Sequence, residues 1–139
     1  MAYDPKNIFA KIIRGEAPCF KVFEDAHTLA FMDIMPQAEG HTLVIPKEHA
    51  ESIFDLSPEG AAALIKTTKK IAAAVQEVTK APGMMLAQLN GAAAGQTVFH
   101  IHFHVIPRSS GLELKLHARE MADFEKLKAL AAKIAAAVK

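Results

Sequence analysis

The sequence predicts an α+β domain: one antiparallel five-stranded sheet, one long central helix, a short N-terminal helix and a C-terminal helix. Three observations carry this. The segment Phe99-His100-Ile101-His102-Phe103-His104-Val105 alternates strictly, as a half-buried strand does. A single long stretch, 58–80, repeats apolar residues at helical spacing. The other strand-like segments follow one another through short links, which favours an antiparallel sheet.

Each element has its own local reason. Asp4-Pro5 opens a short amphipathic helix bearing Ile8, Phe9, Ile12 and Ile13, and Gly15 ends it. Residues 20–24 and 28–33 read as strands joined by a tight turn at 25–27. Residues 36–40 form a loop, and 41–45 a third strand closed by Pro46. Ser57-Pro58-Glu59 starts the long helix with a hydroxyl cap, a proline at the first helical position and an acid in the first turn. Its apolar stripe includes Leu64, Ile65, Ile71 and Val75, and Pro82-Gly83 ends it. Residues 84–89 make a fourth strand, 90–96 a Gly/Ala-rich loop, and 97–107 the histidine strand. After a polar turn at 108–111, Asp123 can cap a last helix with Leu127, Leu130, Ile134 and Val138 on one stripe. The whole is one domain, 1–139, with a core over about 5–108 and a helical extension at 112–139.

Composition limits the function. With 139 residues, 51% of them apolar, the chain can bury one core. Sixteen basic and fifteen acidic residues leave no basic footprint for nucleic acid. No apolar run is long enough to span a membrane, and the N-terminal segment lacks a signal core. Cys19 is the only cysteine, so no internal disulfide forms and a reducing cytoplasm is the expected setting.

On an ideal strand His100, His102 and His104 line one face and Phe99, Ile101, Phe103 and Val105 the other. Three readings compete. A plain surface strand would rarely carry three imidazoles beside a small-residue loop. A zinc site could use the His-x-His pair with His41 or His49 as third ligand. Or a neutral imidazole could attack phosphorus, splitting one hard step into two. For that reading the loop Asn90-Gly91-Ala92-Ala93-Ala94-Gly95-Gln96-Thr97 offers close backbone approach and N–H groups for an anion.

The motif His100-Ile101-His102-Phe103-His104-Val105-Ile106 resembles the histidine triad signature at all seven positions. The resemblance extends through Ile8–Ile13, Leu29–Ile34, Pro36-Gln37-Ala38, Gly40–Lys47 and Gly95–Val98. The N-terminal half is most similar to the purine nucleoside phosphoramidase branch. Gly95–Val98, with Pro107-Arg108, also resembles the diadenosine polyphosphate hydrolases.

The resemblance implies cleavage at the α-phosphate of purine nucleoside 5′-phosphoramidates, with no cofactor. It makes His102 the nucleophile and His100 a structural or electrostatic support. His104, Thr97, Asn90 and the backbone of Gly95 and Gln96 would hold the α-phosphate. Asp33 would bind the ribose hydroxyls, and Ile8, Phe9, Ile12, Phe31 and Ile34 would form the purine slot. His41 is a candidate proton relay. The implied partners are AMP or GMP and their esters or amidates, and a second copy in a homodimer. Some relatives bind structural zinc through a Cys-x-x-Cys pair and two histidines. Here Asn7 and Ala10 stand at the cysteine positions, so no metal is expected although His49 and His100 remain.

Overall fold

The computed structural model describes residues 2–109 and 121–139. The end of the expected polar turn, the start of the extension (112–120) and His117 lie outside the described residues. The strands are β1 (Lys21–Glu24), β2 (Thr28–Met32), β3 (Thr42–Pro46), β4 (Gly83–Gln88) and β5 (Phe103–Arg108). They form one sheet in the order β1-β2-β3-β5-β4, with every neighbouring pair antiparallel. The helices are α1 (Ile8–Ile13), α2 (Pro58–Thr79) and α3 (Phe124–Ala137). The α+β class follows, and no described helix is long and apolar enough to cross a membrane.

Local chemistry sets the ends of these elements. The β1–β2 turn closes because Asp25 Oδ1 accepts the backbone N–H groups of His27 and Thr28, each at 2.8 Å. Ser57 caps α2 by accepting from Gly60 N, with Pro58 at the first position. At its other end Lys80 takes the left-handed conformation, φ 59°. Asp123 caps α3 by accepting from Glu125 N.

Both faces of the sheet are covered, which is why β2 and β3 are buried at every position rather than alternating. On one face Ala30, Met32, Val44 and Val105 pack with Leu64, Ile71 and Val75 of α2 and Leu127, Ala131 and Ile134 of α3. On the other, Leu29, Phe31, Leu43 and Ile45 pack with Phe9 of α1. Phe31 faces Leu43 across the ladder, and Leu43 faces His104. Direct cross-strand partners share a face, so His104 points to the α1 side.

The fifth strand departs from expectation. It begins at Phe103, and residues 97–102 are outside the ladder. Ile101 N donates to Ala50 O at 2.9 Å, and the His100 ring hydrogen-bonds Pro46 O at 2.7 Å. These long-range bonds hold the chain to the 46–50 segment instead of to the sheet. The one-sided row of three histidines is therefore broken: His102 and His104 stay together, and the His100 ring is packed elsewhere.

Candidate active site

A cavity of about 620 Å³ opens between α1 and its face of the sheet. Ile8, Phe9, Ile12, Phe31, Asp33 and Ile34 line it, and Thr97, His102 and His104 stand at its polar end. Asn90, Gly95, Gln96, His41 and His100 are not in its wall.

His102 is 7% exposed, wedged edge-on against Phe9 with ring centroids 4.9 Å apart. Its Nδ1 lies 2.7 Å from the carbonyl oxygen of His100. A carbonyl only accepts, so the ring proton is on Nδ1 and Nε2 keeps a free lone pair. Burial lowers the pKa of this imidazole, which keeps it neutral at pH 7.

His104 has the opposite tautomer, for a reason two residues deep. Gln37 N donates to His41 Nδ1 at 2.9 Å, so the proton of neutral His41 is on Nε2. That Nε2 lies 3.0 Å from His104 Nδ1. His104 therefore accepts through Nδ1 and carries its own proton on Nε2. Burial pushes His41 down to about 3 and His104 to about 4, so both are neutral at physiological pH. His102 and His104 are 4.9 Å apart, centroid to centroid. One cavity thus holds a lone pair and a proton on neighbouring rings.

Asp33 ends β2 with its Oδ1 accepting Met35 N at 2.8 Å and its Oδ2 3.4 Å from His41 Nε2. Burial raises its pKa to about 6. Asp33, His41 and His104 each bring one ligand-type atom within 4.8 Å of the others. The set does not fit a cation as folded. Metal on His41 Nε2 would force the ring proton to Nδ1, directly against the Gln37 N–H.

His100 is fully buried. Its Nε2–H donates to Pro46 O, and its Nδ1 accepts from the Tyr3 hydroxyl at 2.5 Å. Tyr3 also stacks on His49, with centroids 4.6 Å apart and 18° between planes. Asn7, at one of the relatives' cysteine positions, caps α1 by accepting from Ala10 N. With both His100 nitrogens engaged, this donor set does not fit structural zinc either.

The small-residue loop is organised differently from the expected anion cradle. Ala92–Ala94 form a 3-10 turn, and the N–H groups of Gly95 and Gln96 bond Ala92 O and Gly91 O. The backbone groups assigned to phosphate are thus turned into the loop. The Gln96 side chain accepts from Gly91 N and donates to Glu51 O and Val98 O. Asn90 Oδ1 accepts from Ile53 N and from Gln88 Nε2. These two residues brace the loop. Thr97 alone of the loop's polar side chains reaches the cavity, exposed and with no hydrogen bond among the described residues.

A HIT-domain family model matches residues 14–111. The chain belongs to the HIT family. A HIT-like protein from Bartonella henselae, crystallised with an unknown ligand, superposes with a TM-score of 0.91. It is 49% identical, covering 98% of this chain and 99% of that one. The adenosine 5′-monophosphoramidase hnt1 of Schizosaccharomyces pombe is 47% identical over 104 residues, 73% of each chain. The adenylylsulfatase HINT3 of Arabidopsis thaliana is 43% identical over 101 residues, 73% of this chain and 51% of that protein.

Several cavity residues of this HIT protein were not foreseen. Phe20, Met35 and Gln37 line it, as does Phe124 from the C-terminal extension. Tyr3, bonded to His100, is equally unannounced. The placing of Phe20 with Phe124, and of Tyr3, depends on contacts between distant parts of the chain, which no local pattern marks.

Proposed function

We propose that this protein is a nucleotide-binding hydrolase that cleaves purine nucleoside 5′-phosphoramidates at the α-phosphate through a covalent nucleotidyl-His102 intermediate. The observation that carries the reading is the pair of complementary tautomers at one cavity: a lone pair on His102 Nε2 and a proton on His104 Nε2. The hydrolase names of relatives in the same family support it.

In the first step His102 Nε2 bonds to phosphorus as the phosphorus–nitrogen bond breaks. The departing nitrogen accepts a hydrogen bond from His104 Nε2–H and leaves as the amine with a proton drawn from solvent. The adduct ring is cationic, and its Nδ1–H donates to His100 O, which favours the charged form. In the second step water attacks phosphorus, its proton goes to solvent to balance the one taken up with the amine, the phosphorus–Nε2 bond of His102 breaks, and the nucleotide is freed. Thr97 supplies a hydroxyl to the phosphate oxygens. Asp33 accepts from the ribose, and the apolar wall around Phe9 and Phe31 takes the purine.

Homodimerisation is part of the proposal. It is supported by the exposed apolar residues Ile65 on α2 and Leu86 on the edge strand β4. Sedimentation at micromolar protein tests it.

The decisive experiment is trapping. Brief incubation with AMP phosphoramidate labelled at phosphorus should leave acid-labile label that maps to His102. His102→Ala should abolish both label and turnover while retaining AMP binding. Unchanged turnover in that variant would remove the mechanism. Faster turnover of diadenosine tri- or tetraphosphate than of the amidate would reassign the substrate.

A further inference from the structure

We propose that the C-terminal extension is part of the binding site, with Phe124 as a binding residue that forms the outer wall for the nucleobase. The inference rests on the nucleotide reading above and goes beyond it, since the wall is supplied by an element outside the 14–111 family match.

The first observation is placement. Phe124, the first residue of α3, lines the same cavity as His102 and His104. It meets Phe20 edge to face, with centroids 5.3 Å apart and 65° between planes. It is 46% exposed, a large aromatic left open at the lip of an apolar pocket instead of being turned into the core.

The second is that the extension is anchored. Ala122 N donates to Ile34 O at 2.9 Å, tying the chain beside Asp33 and Ile34. Asp123 caps the helix, and Leu127, Ala131 and Ile134 are buried against the core. Phe124 is therefore presented from a fixed helix terminus, which limits the entropy lost on closing over a ligand.

The third is distance. His104, Leu43, Phe31 and Lys21 form one cross-strand row from β5 to β1. Three strand spacings separate the ends, roughly 14 Å. With phosphate at the histidines, a planar base belongs against the apolar part of the same cavity wall, to which Ile34, Phe20 and Phe124 contribute. A base stacked on an aromatic wall gains affinity without regard to its hydrogen-bonding edge. Phe124 should therefore add affinity for purines generally, not choose adenine over guanine.

The test compares wild type, Phe124→Ala and Phe124→Leu by calorimetric titration with AMP, GMP and ribose 5-phosphate, alongside thermal unfolding. Leucine keeps the packing on Phe20 and removes the ring face. Both variants should weaken AMP and GMP roughly five- to tenfold, leave ribose 5-phosphate unchanged, and raise KM for AMP phosphoramidate with kcat retained. Phe124→Leu should unfold at the wild-type temperature. Wild-type AMP affinity in both variants would overturn this inference alone. So would an effect confined to the identity of the leaving amine, or equal losses for AMP and ribose 5-phosphate. A wild-type protein that neither binds AMP nor turns over the amidate would remove the nucleotide reading, and this inference with it.

Discussion

The proton between His41 Nε2 and His104 Nδ1, 3.0 Å apart, belongs to His41, because Gln37 N–H already occupies the other His41 nitrogen. The tautomer of His104 that the proposed mechanism uses is thus set by a backbone amide on a different segment. His41→Ala removes the donor and frees His104 to carry its proton on either nitrogen. We expect kcat for AMP phosphoramidate to fall roughly 10- to 100-fold, in the range of a second-layer partner that orients a functional imidazole, with KM nearly unchanged. Two-dimensional ¹⁵N spectra should show His104 Nδ1 unprotonated in the wild type and mixed in the variant. Wild-type kcat with an unmixed spectrum would contradict the relay.

Tyr3 offers a second test. Its hydroxyl is the partner of His100 Nδ1, on a ring that is fully buried. Tyr3→Phe preserves the stack on His49 and leaves that nitrogen unsatisfied. An unpaired buried polar group costs about 1–3 kcal/mol, so the denaturant midpoint should drop with the slope unchanged. A Tyr3→Phe protein as stable as wild type would mean that the Tyr3 hydroxyl does nothing for His100.

The two parts of the molecule differ in how far they were legible. Apart from β5, strand and helix bounds came through to within a residue or two, because local signals fix them. The Ser57-Pro58 start puts α2 at Pro58–Thr79 against an expected 58–80. Asp123 caps α3 as expected. The site was harder. The alternation at 99–105 identifies the right histidines but predicts a strand from 97, whereas β5 begins at Phe103. The bonds that bend the chain, Ile101 to Ala50 and His100 to Pro46, join residues about fifty apart. The loop composition at 90–96 promised free N–H groups. A 3-10 turn engages three of them, those of Ala94, Gly95 and Gln96, and composition does not distinguish these outcomes.

Asp33 should trade stability for function. Its folded pKa, about 6, lies above the ordinary 3.8. A carboxyl so raised contributes stability that is full below 3.8 and is lost as pH rises through 6. Ionised Asp33 is thus a cost to the empty protein at pH 7.5. A gap of about two units is worth roughly 3 kcal/mol at most. Asp33→Asn should raise stability at pH 7.5 by about 1–3 kcal/mol, and the gain should vanish by pH 4. The same variant should bind AMP more weakly, having lost a two-oxygen acceptor for the ribose. Stability equal to wild type at both pH values would show that the carboxyl is not held out of water.

The four histidines at 41, 100, 102 and 104 work in the other direction and dominate acid behaviour. Burial lowers all of them from 6.5: His41 to about 3, His100 and His104 to about 4, and His102 in the same direction. Depressed bases contribute stability that is present above 6.5 and lost as pH falls through their folded values. Among the described residues Asp33 opposes them, regaining one proton's worth of stability between about 6 and 3.8. With His41, His100 and His104 set against Asp33, the balance is about two protons taken up on unfolding in this window, a slope of about 3 kcal/mol per pH unit, and His102 acts in the same direction. Two units of acidification therefore remove about 6 kcal/mol, comparable to the lower part of a typical domain stability of about 5–15 kcal/mol. Denaturant midpoints measured from pH 8 to pH 4 should therefore be flat above 7 and fall steeply from about 6. Replacing His100 with the uncharged isostere glutamine should make the slope shallower by about one proton, even though it lowers the plateau. A profile that stayed level down to pH 5 would mean these imidazoles titrate as they do in water, and the neutral tautomers on which His102 and His104 depend would lose their basis.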